Sequence, residues 1–217
     1  AIDIEVYSPI SSRVPDAREG AYPVIACSVY SSDGEKRVLI LKREGVSEGD
    51  YQATAGIEVE YCETEEELLR KIFDVLIDYP FILTFNGDDF DLRYLAHRAA
   101  NLGFNKNNVP IEVGRRVCLL RYGIHIDLYK FFFNRSVQIY AYSNRYKDVS
   151  LDEVLLEFFL LFLRTGDRPG HAGETIRQRV EVIRLQCLHD AHRAGDIVVD
   201  LGRHPNDPAP VVAVDLG

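Results

Sequence analysis

Two carboxylates stand one residue apart in the segment Ile2-Asp3-Ile4-Glu5-Val6. Alternation along an extended strand throws Asp3 and Glu5 onto one face and Ile2, Ile4 and Val6 onto the other. A strand this apolar on one side belongs in a sheet, where like charges cost on the order of several kcal/mol unless a cation compensates them. A divalent metal ion is the expected compensation. Acids also stand where packing would favour apolar residues at the junction Asn86-Gly87-Asp88-Asp89-Phe90-Asp91 and at Asp190. At 100° per residue Asp190 falls within about 20° of Ile183, on the flank of an apolar helical stripe, so it should face the body of the protein. Convergence of Asp3, Glu5, Asp91 and Asp190 would make a hard oxygen-donor site suited to Mg²⁺ or Mn²⁺. Two such ions about 4 Å apart would let one activate water while the other stabilises the leaving oxygen in phosphodiester cleavage.

Each piece also has a plainer reading. Asp3 and Glu5 alone would read as solvated acids of an edge strand, and only their combination with the Asn86–Asp91 junction favours metal. Asp88 and Asp89 read as loop and helix-capping acids, which a helix N-terminus favours in any case. Asp127, in Ile124-His-Ile-Asp-Leu128, reads as structural rather than as a further ligand. His189 and His192 flank Asp190 without a Cys or His partner at zinc-ligand spacing, so surface or supporting roles fit them better. Arg115, Arg116 and Arg121 could touch phosphates, and a solvated loop explains them equally well.

The elements that must position these groups follow from pattern. Residues 2–7, about 23–31 and 37–42 read as strands of an antiparallel meander, the last two joined by a turn around Ser32-Asp-Gly-Glu35. Thr64 with Glu67 forms a capping box, and Leu68, Leu69, Ile72, Phe73, Leu76 and Ile77 follow at helical spacing to about Tyr79. Phe81 to Phe85 is a short buried strand ending in the polar loop, and a helix runs from about Asp91 to a stop at Gly103. Ile124 to Leu128 reads as another strand, and Tyr129 to Phe133 as helical core. A second capping box, Ser150 with Glu153, opens a further helix. Past Thr165 a Gly, Pro, Arg and His-rich loop of about ten residues precedes a helix from about Glu174 to Ala194. Residues 1–200 then form one domain, and 201–217, Pro-rich and then apolar, a linker or a severed connection to a following domain.

At 217 residues and 47% hydrophobic the chain can bury a proper core. Its net charge of -9 argues against a sequence-independent nucleic-acid coat, but not against an enzyme that grips a strand end with local Lys and Arg. Cys27, Cys62, Cys118 and Cys187 are too widely spaced for a zinc cage or a redox dithiol and read as core thiols in a reducing compartment, taken to be the cytoplasm. The densest apolar run, Leu155 to Leu163, is too short to span a bilayer, so no membrane partner is expected. The absence of Met, an initiator included, reads as a piece of a longer chain.

Asp3-Ile-Glu5, Phe85-Asn-Gly-Asp-Asp-Phe-Asp91 and the late Asp190 together resemble the three exonuclease motifs of family B DNA polymerases, the proofreading branch of the DEDD nucleases. The wording is most similar to archaeal polymerases in Asp3-Ile-Glu-Val-Tyr-Ser-Pro9, Leu83 to Leu92 and His125 to Asn134. The resemblance is firm from residue 1 to about 155 and thin beyond. It implies a ribonuclease H-like α/β fold: a mixed sheet, antiparallel meander first, flanked by α-helices. It also implies removal of nucleotides from single-stranded DNA 3′ ends with two Mg²⁺ or Mn²⁺ ions, in the service of polymerase domains of the same parent chain. By the same resemblance Asp3, Glu5, Asp91 and Asp190 hold the metals, Asn86 positions the terminal nucleotide and Phe90 packs beneath or beside it. The family's third motif carries a tyrosine four residues before its aspartate to orient the attacking water, and Gln186 stands there in this chain. An amide oxygen one helical turn from Asp190 can accept that hydrogen bond, less effectively. Position 185, where the other DEDD branch carries a general-base histidine, is Leu185. A weakened domain kept as a scaffold or DNA-binding module and a freestanding DEDD ribonuclease remain alternatives. A sliding clamp is a possible partner that nothing in the sequence indicates.

Overall fold

The computed structural model describes residues 1–9, 13–43, 56–146, 149–151 and 153–154. The expected loop past Thr165, the helix from Glu174 to Ala194, the linker at 201–217, and with them Gln186, Asp190 and Cys187, lie outside the described residues.

Strands β1 (Ile2–Val6), β2 (Val24–Tyr30) and β3 (Lys36–Leu41) form the antiparallel meander, and β4 (Glu58–Cys62) adds to β3 in parallel. Ser31 and Gly34 make the β2–β3 turn: the Ser31 hydroxyl accepts the Glu35 N–H at 3.0 Å, and Gly34 takes φ +101°, open to a residue without Cβ. Strand β4 was not among the expected strands, although Glu58 and Glu60 alternating with Val59 and Tyr61 make the same period-two pattern as β1; it is half-buried at the edge of the sheet. Its charges are matched after folding, with Lys71 at 2.8 Å and Arg37 at 3.5 Å from Glu60.

The capping box opens α1 (Glu65–Asp78) as expected: the Thr64 hydroxyl accepts the Glu67 N–H at 3.2 Å, and the Glu67 carboxylate accepts the Glu63 N–H at 2.9 Å. Leu68, Leu69, Ile72, Phe73 and Leu76 are buried in the core with Ile2, Ile4, Cys27 and Leu39. Ile77, expected in the stripe, is 42% exposed. After α1 comes β5 (Phe81–Thr84), then α2 (Asp91–Asn101), which buries Leu92, Tyr94, Leu95 and Ala99 and ends near Gly103 at φ +80°. A short hairpin follows, β6 (Ile111–Val113) with β7 (Cys118–Leu120). Strand β8 (Ile124–Asp127) pairs with β5 in parallel, Thr84 opposite Asp127.

The aromatic run forms α3 (Leu128–Phe133), but none of its residues is buried, and Phe131 and Phe133 are 51% and 63% exposed. The expectation of helical core is therefore corrected: Phe132 leans on the buried cluster of Tyr142, Tyr146 and Val154 while Phe131 and Phe133 stay outward, and Asp127 caps the helix start. Cys27, Cys62 and Cys118 are buried free thiols, as expected of core cysteines, and burial pushes the Cys118 thiol up to about 11. The four-stranded sheet β1–β4 mixes antiparallel and parallel pairing, β5 with β8 and β6 with β7 form two-stranded sheets, and helices flank them, the mixed α/β class the sequence implied. Among the described residues no helix is long and apolar enough to cross a membrane.

Candidate active site

The first strand and α2 meet at one hydrogen bond. Ala1 and Tyr30 exchange both backbone bonds, at 2.6 and 2.9 Å, so in the antiparallel ladder Asp3 and Glu5 also bond toward β2 and the N–H of Ile4 points to the opposite edge. Asp91, the first residue of α2, sits at that edge and its Oδ1 accepts the Ile4 N–H at 3.1 Å. A buried carboxylate thus lies against the backbone between Asp3 and Glu5. Asp91 is 2% exposed, Glu5 half-buried and Asp3 exposed.

Burial raises the Asp91 carboxyl well above the ordinary carboxylate range. The charge of Asp3 adds to the rise and that of Glu5 contributes less, while the Ile4 N–H opposes it. Three of the four expected ligands therefore share one electrostatic neighbourhood. Among the described residues no three His, Cys, Asp or Glu side chains close into a metal cage. The donor chemistry nonetheless fits a divalent cation: all three groups offer oxygen, and they carry an excess of negative charge that a hard cation would relieve.

The loop ahead of α2 is wound tightly. Asn86 takes φ +72°, a left-handed conformation that Asn tolerates, and its carbonyl accepts the N–H groups of Asp89 and Phe90 at 3.1 and 2.9 Å. Gly87 is obligatory here, since a Cβ would lie 2.1 Å from the Thr84 hydroxyl that accepts the Gly87 N–H. Asn86 and Phe90 are half-buried. The Phe90 ring packs on the core with its centroid 5.7 Å from that of Tyr94, leaving it beside the start of α2.

Asp88 departs from its expected capping role. The N-cap position of α2 is Phe90, with no side-chain cap. Asp88 is instead buried, its carboxylate accepting the Cys118 N–H and pairing with Lys130 Nζ at 2.8 Å, while His125 Nδ1 lies 3.4 Å away. Its carbonyl accepts Arg93 Nε at 2.9 Å. The hairpin β6–β7 is drawn to the same loop, for Arg93 Nη2 reaches the Gly114 carbonyl at 3.2 Å. Arg115 and Arg116 are exposed at the hairpin tip, whereas Arg121 is held by Glu112 at 3.3 Å. The supporting roles of His125 and Lys130 had no local signal, because Asp88, which both approach, lies about forty residues away in sequence.

A first strand that carries two acids, with a third at the start of α2 bonded to the backbone between them, gathers three carboxylates in one neighbourhood of an α/β fold. The chain belongs to the exonuclease domain of DNA polymerase family B, whose profile matches residues 1–154. It is 48% identical over 155 residues to DNA polymerase 1 of Saccharolobus solfataricus, covering 71% of this chain and 18% of that one. Identity to DNA polymerase 1 of Sulfolobus acidocaldarius is 46% over 154 residues, 71% of this chain and 18% of the relative. To the DNA polymerase of Methanocaldococcus jannaschii it is 29% over 137 residues, 59% and 8% of the two chains. The chain thus spans less than a fifth of the length of these archaeal relatives. The family match includes Asp3, Glu5, Asn86, Phe90 and Asp91 and ends before Gln186 and Asp190.

Proposed function

We propose that this domain is a metal-dependent 3′-to-5′ exonuclease that hydrolyses single-stranded DNA from its 3′ end and proofreads for polymerase domains of its parent chain. The observation that carries the reading is the buried Asp91 carboxylate bonded to the strand between Asp3 and Glu5. Asp3, Glu5 and Asp91, with Asp190 as a fourth ligand, would hold Mg²⁺ or Mn²⁺. Two divalent ions, when bound, supply an activated water and a counter-charge for the leaving 3′ oxygen. The chain's own residues do the rest. Asn86 offers an amide that hydrogen-bonds a sugar or base edge of the terminal nucleotide, and Phe90 offers an aromatic surface against it. Gln186 accepts a hydrogen bond from the attacking water.

The rival is a disabled domain retained as a scaffold or DNA-binding module. It is favoured by Gln186 in place of the family tyrosine and by a family match that ends before Asp190. Release of mononucleotides from labelled single-stranded DNA with Mg²⁺ or Mn²⁺ separates the two. The parent chain should release nucleotide, Asp3→Ala should abolish release, and Gln186→Tyr should accelerate it by roughly 10²-fold if Gln186 stands at the water. A silent parent rescued by tyrosine would mean a retained but disabled site. Silence from all three would give the scaffold the field, and faster release from RNA than from DNA would point to a ribonuclease.

A further inference from the structure

We infer that Asp127 is the positioning residue of this site, fixing with one carboxylate the loop that carries Asn86, Phe90 and Asp91. The inference rests on the exonuclease reading of those residues. Asp127 is the last residue of β8 and pairs across the parallel ladder with Thr84, so it stands beside the point where β5 ends and the loop begins. Its side chain is 7% exposed. Oδ1 accepts the Asn86 N–H at 2.9 Å and the Tyr129 N–H at 3.0 Å, and Oδ2 accepts the Asp88 N–H at 3.2 Å.

An acid serving only as the cap of α3 needs the Tyr129 bond alone. The other two bonds go to the loop, and they hold it at the residue with left-handed backbone and at its neighbour but one. From there the winding is continuous. The Asn86 carbonyl takes the Phe90 N–H, and the Gly87 carbonyl takes the Leu92 N–H at 2.9 Å, so the direction of the Asp91 side chain follows from where Asn86 and Asp88 are pinned. With its oxygens committed to three amides, Asp127 serves the site through the loop and not as a metal ligand.

The substitution Asp127→Asn tests this in the full chain. Whichever way the amide faces, its NH₂ is set against at least one loop N–H that has lost its acceptor. Thr64→Ala, which removes the cap of α1 on an element outside the site, serves as a control for stability alone. Asp127→Asn should speed hydrogen exchange at the Asn86 and Asp88 amides, weaken Mn²⁺ binding several-fold by calorimetry and lower kcat on a single-stranded oligonucleotide about 10- to 100-fold, the loss expected of misplaced groups. Thr64→Ala should lower Tm and leave all three as in the parent. The inference is overturned if Asp127→Asn lowers Tm as Thr64→Ala does, with exchange, Mn²⁺ affinity and kcat unchanged. If the parent releases no nucleotide the exonuclease reading falls by itself. Asp127 is then decided by exchange and Mn²⁺ affinity, a change in both supporting its role and parental values in both refuting it.

Discussion

The energetic centre of the site is one carboxyl. Asp91 is held above the ordinary carboxylate range first by burial and then by Asp3, so the metal-free native state keeps a proton that the unfolded chain has already given up. The sign follows: the folded state binds more protons, and stability falls as pH rises from the unfolded carboxylate range, about 4, to the raised native value. In chelator, Asp91→Asn should therefore melt above the parent at neutral pH, since the Asn oxygen can still accept the Ile4 N–H. That gap should close as the pH is lowered through about 4, below which the parent carboxyl is protonated in both states. Adding Mg²⁺ should raise the parent's Tm and leave the variant's almost unmoved. Thermal melts across pH, with and without metal, check all three statements, and a variant less stable than the parent in chelator at neutral pH would contradict the charge argument. The position of Asp91 was legible in the sequence because an acid at a helix start, after Asn-Gly, is a local pattern. The role of Asp88 was not, because its partners Lys130, His125 and the Cys118 amide come from other elements.

Helices α1 and α2 are fastened by a polar clamp that reaches the loop ahead of β2. Glu65 accepts Arg98 Nε and Nη2 at 2.8 and 2.6 Å and the Val24 N–H at 2.8 Å, while Arg98 Nη1 reaches the carbonyls of Gly20 and Ala21 at 3.3 and 3.0 Å. Gly20 has φ +54°, and a Cβ there would lie 2.7 Å from the Arg98 nitrogen, so the loop can approach α2 only through glycine. Removing the acid leaves the Val24 amide without its acceptor and the guanidinium with the Gly20 and Ala21 carbonyls on one nitrogen alone. Glu65→Ala should cost about 1–3 kcal/mol, mostly for the Val24 amide left buried without its acceptor, and the loss is measured by denaturant unfolding. Nucleotide release per folded molecule should stay at the parent's level, because the clamp does not touch the site. The two helices themselves were legible: Thr64 with Glu67 marks one start and Gly103 one stop. Strand β4 carries the same period-two alternation as β1 and was open to the same argument, whereas β6 and β7 are three residues each, too short for periodicity to register. The aromatic composition of α3 suggested core, but burial is set by what packs against a helix, which composition does not report.

At the scale of the whole molecule, the proposed function asks an acidic chain to hold a polyanion. The net charge is -9, and several cations near the site are occupied internally: Lys130 by Asp88, Arg93 by backbone carbonyls and Arg121 by Glu112. Exposed charge comes from Arg115 and Arg116 at the hairpin tip, which is tied to α2 by the Arg93–Gly114 bond and to the loop ahead of α2 by the Cys118–Asp88 bond. Two phosphate contacts would release about 0.7 counterion each from single-stranded DNA, giving a slope of log K against log salt of roughly -1.4. Binding of a fluorescent single-stranded oligonucleotide, followed by anisotropy between about 50 and 200 mM salt with Ca²⁺ present to suppress cleavage, should show that shallow dependence. Arg115→Ala with Arg116→Ala should flatten it further while leaving Mn²⁺ affinity as in the parent. A slope near -4 or steeper would require about six phosphate contacts, many more than Arg115 and Arg116 supply. The molecule would then be a nucleic-acid-binding surface first. A shallow slope instead describes a domain that recognises an end through metal, amide and aromatic contacts and leaves the longer grip on DNA to the rest of the parent chain.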